Sequence, residues 1–103
     1  MRPLAFMMLV AAMMLVSACG TQVPDDASGA EVFELVCARC HGSQLGGGVG
    51  PALDAGSEAA DKTDAYYQQT ISRGRGRMPS FGSSLTQEQI DLVIDFLREQ
   101  QRP

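Results

Sequence analysis

Five consecutive residues, Cys37-Ala38-Arg39-Cys40-His41, constrain this chain more than any other stretch. Two cysteines three positions apart, followed at once by histidine, form the pattern through which a c-type haem is attached. The spacing has a physical reason. Thiols at i and i+3 of a helical turn share a face, so both reach the two vinyl groups of one porphyrin as thioethers, and the next residue carries an imidazole toward the iron. Two other uses of a Cys-x-x-Cys pair fail on count and context. Structural zinc takes four ligands, and beyond these residues the chain offers only Cys19 and no second histidine. A thioredoxin-like pair sits in a βαβ pattern, whereas no segment here alternates with period two for long enough to read as a strand.

The sixth axial position is narrowed by counting. Met1, Met7, Met8, Met13 and Met14 fall within the first 18 residues, so Met78 is the one methionine beyond them, and His41 is the only histidine. Bis-histidine ligation within one chain is thereby excluded, which leaves Met78, a weaker donor such as Lys62, or nothing. Thioether plus imidazole is the axial pair of electron-transfer haem proteins, so the expectation is Met78, with Pro79 stiffening its loop.

Residues 1–18 read as a removable leader. Arg2 supplies the positive start, Leu4 to Val16 is apolar, and Ser17-Ala18 are small residues before Cys19. The apolar run is shorter than the roughly 20 residues a spanning helix needs, so export and cleavage are expected. Leu15-Val16-Ser17-Ala18-Cys19 resembles the lipobox of bacterial lipoproteins, which implies that Cys19 becomes the first mature residue, lipidated on its sulfur. Otherwise Cys19 is an odd thiol in an exported chain, left free by an ordinary signal cut nearby.

From Cys19 onward 85 residues carry seven basic and twelve acidic side chains. A net charge of about −5 disfavours nucleic-acid binding, which needs a basic footprint. A chain this short has a modest core. A covalently held porphyrin adds apolar surface for that core to form around, so folding is expected to depend on haem attachment.

Along the chain, residues 20–27 have no helical periodicity and read as a linker, reaching at most about 28 Å. Ser28 and Glu31 fit a capping box opening a first helix, on which Phe33, Val36, Cys37 and Cys40 share a face. Residues 42–50 are too glycine-rich for a regular element, and they lack the lysine and preceding strand of a phosphate loop. Asp61 to Ser72 reads as a second helix with Tyr67 and Ile71 on one face, stopped by Gly74 and Gly76; a short further helix is expected around Glu58. The tyrosines are expected to pack on haem with a hydrogen-bonding end. Thr86 and Gln89 form a second capping box, and Ile90, Val93, Ile94 and Leu97 make the stripe of a last helix, widened by Phe96.

The haem motif, then Gly50-Pro51, then Met78-Pro79-Ser80-Phe81, then the terminal helix, resemble in order and spacing the small bacterial monohaem cytochromes c, over roughly residues 28–102. The resemblance implies an all-α cytochrome c fold, three to four helices wrapped around one covalently attached haem c. It implies Cys37 and Cys40 as the thioether residues, His41 and Met78 as axial iron ligands, and a Pro51 carbonyl that accepts a hydrogen bond from His41. Tyr67 and Ile71 would pack against the haem. It also implies that the first and last helices cross, Gly29 and Phe33 meeting Val93 and Phe96. The expected organisation is a leader at 1–18, a lipidated cysteine and linker at 19–27, and a cytochrome domain at 28–103.

The implied activity is single-electron carriage at a fairly positive potential, with no enzymatic step. The setting would be the periplasmic or other extracytoplasmic face of a membrane, and the partners redox proteins or respiratory membrane complexes. The alternative is a haem-based sensor or gas-binding protein whose Met78 is displaceable. Arg73, Arg75 and Arg77, beside Met78, read either as a docking patch or as solvated residues that neutralise haem propionates.

Overall fold

The computed structural model describes residues 22–103; the leader and Cys19 lie outside the described residues. Among the described residues there is no strand, only an isolated bridge between Arg75 and Met78. The fold is all-α, as expected, and three helices position the site.

The first, α1, is one continuous helix in three parts: α-helical over Gly29–Val32, π-helical over Phe33–Cys37 and α-helical again over Ala38–His41. Its start is the expected one. The Ser28 hydroxyl accepts the Glu31 N–H at 3.1 Å. The reciprocal bond of a full capping box, from the Ser28 backbone N–H to Glu31, is not formed; the Ser28 hydroxyl instead donates to the Glu31 carboxylate, 3.2 Å away. The π-turn was not expected. The Ala38 N–H bonds to the Phe33 carbonyl, five residues back, so one extra residue is accommodated in the middle of the helix. Phe33 thereby stays in the core at 1% exposure, whereas Leu35 is 38% exposed.

A short 3-10 helix spans Glu58–Asp61, and α2 spans Asp64–Arg73. The second helix thus begins three residues later than Asp61. Lys62 is extended, with φ −77° and ψ 154°, and Thr63 is the cap, its hydroxyl accepting the Tyr66 N–H at 3.1 Å. Asp61 is instead the last residue of the 3-10 turn. Gly74 ends α2 with φ +74°, a left-handed value that costs glycine least.

Helix α3, Gln87–Gln100, carries the complete capping box of Thr86 and Gln89 and buries Ile90, Val93, Ile94 and Leu97. It crosses α1 at Gly29, where an added Cβ would lie 3.1 Å from the Phe96 Cβ and 2.7 Å from the Leu92 carbonyl carbon. Phe33 and Phe96 meet there with ring centroids 5.4 Å apart. Val32, Phe33, Ile90 and Val93 are the largest fully buried side chains, each contributing roughly 1.5–3 kcal/mol by burial.

The stretch read as a linker docks from Val23 onward. Ala27 is 2% exposed, and its N–H bonds to the Pro24 carbonyl at 3.0 Å. Gln89, 3% exposed, donates its amide to the same carbonyl at 3.0 Å, because a buried amide requires an acceptor. Val23 packs on the core.

Candidate functional site

The end of α1, α2 and the loops that follow them enclose a cavity of about 690 Å³, within the usual range for a bound organic group. Cys37, Cys40 and His41 line it from α1, so the π-turn leaves both thiols and the imidazole on one wall.

The glycine-rich loop holds the imidazole. Gly42, Gly47 and Gly50 donate their N–H groups to the carbonyls of Ala38, His41 and Cys40, at 2.7, 2.8 and 2.8 Å, which satisfies the last turn of α1. That return brings the Pro51 carbonyl to 2.8 Å from His41 Nδ1. With Nδ1 committed to that bond, Nε2 is the nitrogen left for an axial bond, and a bonded second nitrogen fixes ring orientation and raises basicity. Gly50 touches the ring so closely that an added Cβ would sit 2.9 Å from Cε1 and 3.0 Å from Nδ1. Gly50→Ala is therefore expected to destabilise the haem-loaded domain by about 1–3 kcal/mol, read as a lower urea midpoint. An unchanged midpoint would mean the imidazole has room to move.

Met78, Pro79 and Phe81 line the same cavity from the loop after α2. Arg75 and Met78 exchange backbone bonds at 3.1 and 2.9 Å, closing a two-residue turn with Gly76 at φ +58° in its first central position. Beyond Met78 the chain is pinned to α2: Phe81 and Gly82 donate to the Ile71 and Ser72 carbonyls at 2.9 and 3.0 Å, and Ser80 Oγ to Ser72 at 2.5 Å. At Gly74 an added Cβ would fall 2.5 Å from the Met78 carbonyl oxygen, so this loop lies flat on the end of the helix.

Tyr67 and Ile71, at 5% and 6% exposure, line the cavity from α2. The Tyr67 hydroxyl donates to the Ala59 carbonyl at 2.5 Å and accepts from Gln101 at 2.9 Å. Its ring carries the Arg98 guanidinium 4.5 Å from the centroid. Val23, Leu53, Leu85, Val93 and Leu97 also line the cavity; sequence reading placed Val93 and Leu97 in the core stripe and missed Val23, Leu53 and Leu85 as lining. Leu53 and Leu85 lie outside any periodic segment, so no local signal marks them.

The three arginines separate. Arg75 and Arg77 line the cavity, while Arg73 lies in a side cleft of about 180 Å³ with Tyr66, Gln69, Thr70 and Arg75. Arg75 Nη1 donates to the Tyr66 hydroxyl at 2.5 Å, and the Lys62 amino group stands 5.5 Å over the Tyr66 ring. None of the three arginines pairs with a carboxylate among the described residues.

The donor set fits a covalently attached haem. Burial, followed by the neighbouring Cys40, pushes the Cys37 thiol up from 9.0 to about 11. Metal ligation and redox exchange use the thiolate, which burial disfavours at Cys37; an uncharged thioether suits that position.

Residues 24–97 match the family described as cytochrome c oxidase, cbb3-type, subunit III. The chain belongs to this cytochrome c family. The cytochrome is 39% identical over 82 residues to cytochrome c6 of Aphanizomenon flos-aquae, an alignment covering 74% of this chain and 91% of the relative. Among solved structures it resembles cytochrome cL from Hyphomicrobium denitrificans, with a TM-score of 0.64 and 31% identity over 72% of this chain and 46% of that one. It also resembles the dihydro-heme d1 dehydrogenase NirN, with a TM-score of 0.65 and 30% identity over 75% of this chain but 16% of that one. This cytochrome is a small electron carrier with one covalently attached haem c.

Proposed function

We propose that this cytochrome c is an exported, lipid-anchored single-electron carrier, attached to haem through Cys37 and Cys40, with His41 and Met78 as the axial ligands. The observation that carries the reading is that His41 and Met78 line one cavity, His41 held by its ring bond to the Pro51 carbonyl and Met78 by the backbone bonds of its turn. When bound, the haem supplies an iron that cycles between ferrous and ferric forms. The chain's part is to keep the surroundings still. Pro51 fixes the imidazole, the closed Arg75–Met78 turn fixes the backbone that carries the thioether, and the loop is stapled to α2. Few bonds then rearrange as an electron arrives or leaves. A thioether ligand and apolar walls favour the reduced form, which supports a fairly positive potential.

With His41 and Met78 both holding the iron, the domain would offer a substrate no place at the metal, which supports a carrier and not an enzyme. No helix among the described residues is long and apolar enough to cross a membrane. The attachment in this reading is through Cys19, on the periplasmic or other extracytoplasmic face. The partners are then redox proteins or respiratory complexes of that membrane.

The test is the visible and far-red spectrum of the oxidised, haem-loaded protein. A thioether on ferric iron gives a weak far-red charge-transfer band, expected in the wild type and absent in Met78→Ala. A wild-type protein without the band, whose reduced form takes up carbon monoxide readily, would overturn the closed site and make the sensor reading correct.

A further inference from the structure

Because Val23–Ala27 are part of the haem domain's body, the chain between Cys19 and that body shrinks from the eight residues of an apparent linker to three, residues 20–22. Ala27 is 2% exposed, Val23 lines the haem cavity, and the Pro24 carbonyl is held by both Gln89 and Ala27 at 3.0 Å. From the Cys19 Cα to the Val23 Cα is four residue steps, at most about 13–14 Å fully extended. An eight-residue tether would let the domain turn through most orientations. One of three residues does not.

We propose that the wall formed by Val23–Ala27 is the membrane-facing surface of the domain, so that the haem cavity is held close over the lipid headgroups. This rests on lipidation of Cys19 as read above. Asp25 and Asp26 are exposed on that wall and oppose an anionic bilayer, each by about 1 kcal/mol if it mirrors the attraction of a basic side chain. The domain therefore stands just off the headgroups at the distance the tether allows. The electron partner this geometry suits is one whose own redox group lies near the membrane surface.

The test uses the full, haem-loaded protein reconstituted in phosphatidylcholine vesicles that carry a fluorescent dye on a fraction of the headgroups. Haem absorbs through the visible and quenches such a dye by energy transfer, which falls steeply with distance. Inserting twelve Gly/Ser residues between Gln22 and Val23 adds a flexible span of about 17–21 Å and leaves the docked wall untouched. Headgroup quenching is expected to fall at least twofold, with a six-residue insertion intermediate and the far-red band unchanged in both. Equal quenching in all three proteins, each floating with the vesicles, would overturn the membrane-facing wall while leaving the anchor standing. Flotation itself reports the anchor. Wild type that fails to float, or Cys19→Ser that floats as well as wild type, would remove the lipid anchor and this inference with it.

Discussion

A chain in which Cys37 and Cys40 are both replaced by alanine, produced without attached haem, is expected not to fold. The cavity they line measures about 690 Å³, and at roughly 24 cal/mol per Å³ an unfilled space of that size would cost on the order of 16 kcal/mol. Part of the space opens to solvent and would take up water, which lowers the figure. Half of it still matches the whole stability of a small domain, about 5–15 kcal/mol. The walls offer little compensation, because the buried residues that line the cavity come from one helix, Tyr67 and Ile71 on α2, and from two loops, Leu53 and Leu85, so no single element can close over the space. Far-UV circular dichroism should show most of the helical signal lost and no cooperative urea transition. A sharp transition with wild-type helicity would mean that α1 and α3 alone carry the fold.

What could be read from the sequence was what local chemistry decides. The thiol and imidazole spacing, the hydroxyl caps at Ser28 and Thr86, and the Ile90, Val93, Ile94, Leu97 stripe each depend on residues within a few turns of one another, and all stand in the structure where the pattern placed them. The closeness of Pro51 to His41 was expected only through resemblance, and the loop shows how it arises: glycine N–H groups close the end of α1 and carry Pro51 back to the ring.

What escaped was set by distant partners or by backbone alone. The Phe33–Cys37 segment has the composition of an ordinary helix, and a π-turn leaves no residue-type signature. The start of α2 is fixed from α3. Arg98 binds the Asp64 carboxylate at 2.8 Å and the Ala60 carbonyl at 3.2 Å, and it also donates to the Lys62 carbonyl. Those contacts stabilise the extended link through Lys62 over an earlier helical start. Leu45 lies among glycines with φ +62° and is nonetheless 6% exposed. The docking of Val23–Ala27 depends on Gln89, 65 residues downstream of Pro24, and an exposed-looking Pro-Asp-Asp stretch gives no hint of it.

Valine at position 29 is the substitution expected to do most harm to the loaded domain. Gly29 is the point of closest approach of α1 to α3. A Cβ there would stand 2.7 Å from the Leu92 carbonyl carbon, closer still to its oxygen, and 3.1 Å from the Phe96 Cβ. Two of those atoms are backbone and have no rotamer to yield, so the helices must part. That opens the contact in which Val32, Phe33, Ile90 and Val93 are buried. An overpacking cost of about 3 kcal/mol corresponds to a melting temperature lower by roughly 12–24 °C for a domain of this size. Alanine already carries the offending Cβ, so Gly29→Ala should lose most of the same stability despite a helix propensity about 1 kcal/mol better than glycine's. Gly46 is the control: nothing lies within 4 Å of an added Cβ and its φ is not positive, so Gly46→Ala should stay within about 0.5 kcal/mol of wild type. Thermal melts of the three haem-loaded variants beside wild type, followed at 222 nm, decide the matter. If Gly29→Ala melts with Gly46→Ala, the crossing has slack, and the close approach of α1 and α3 is not what holds the two ends of the chain together.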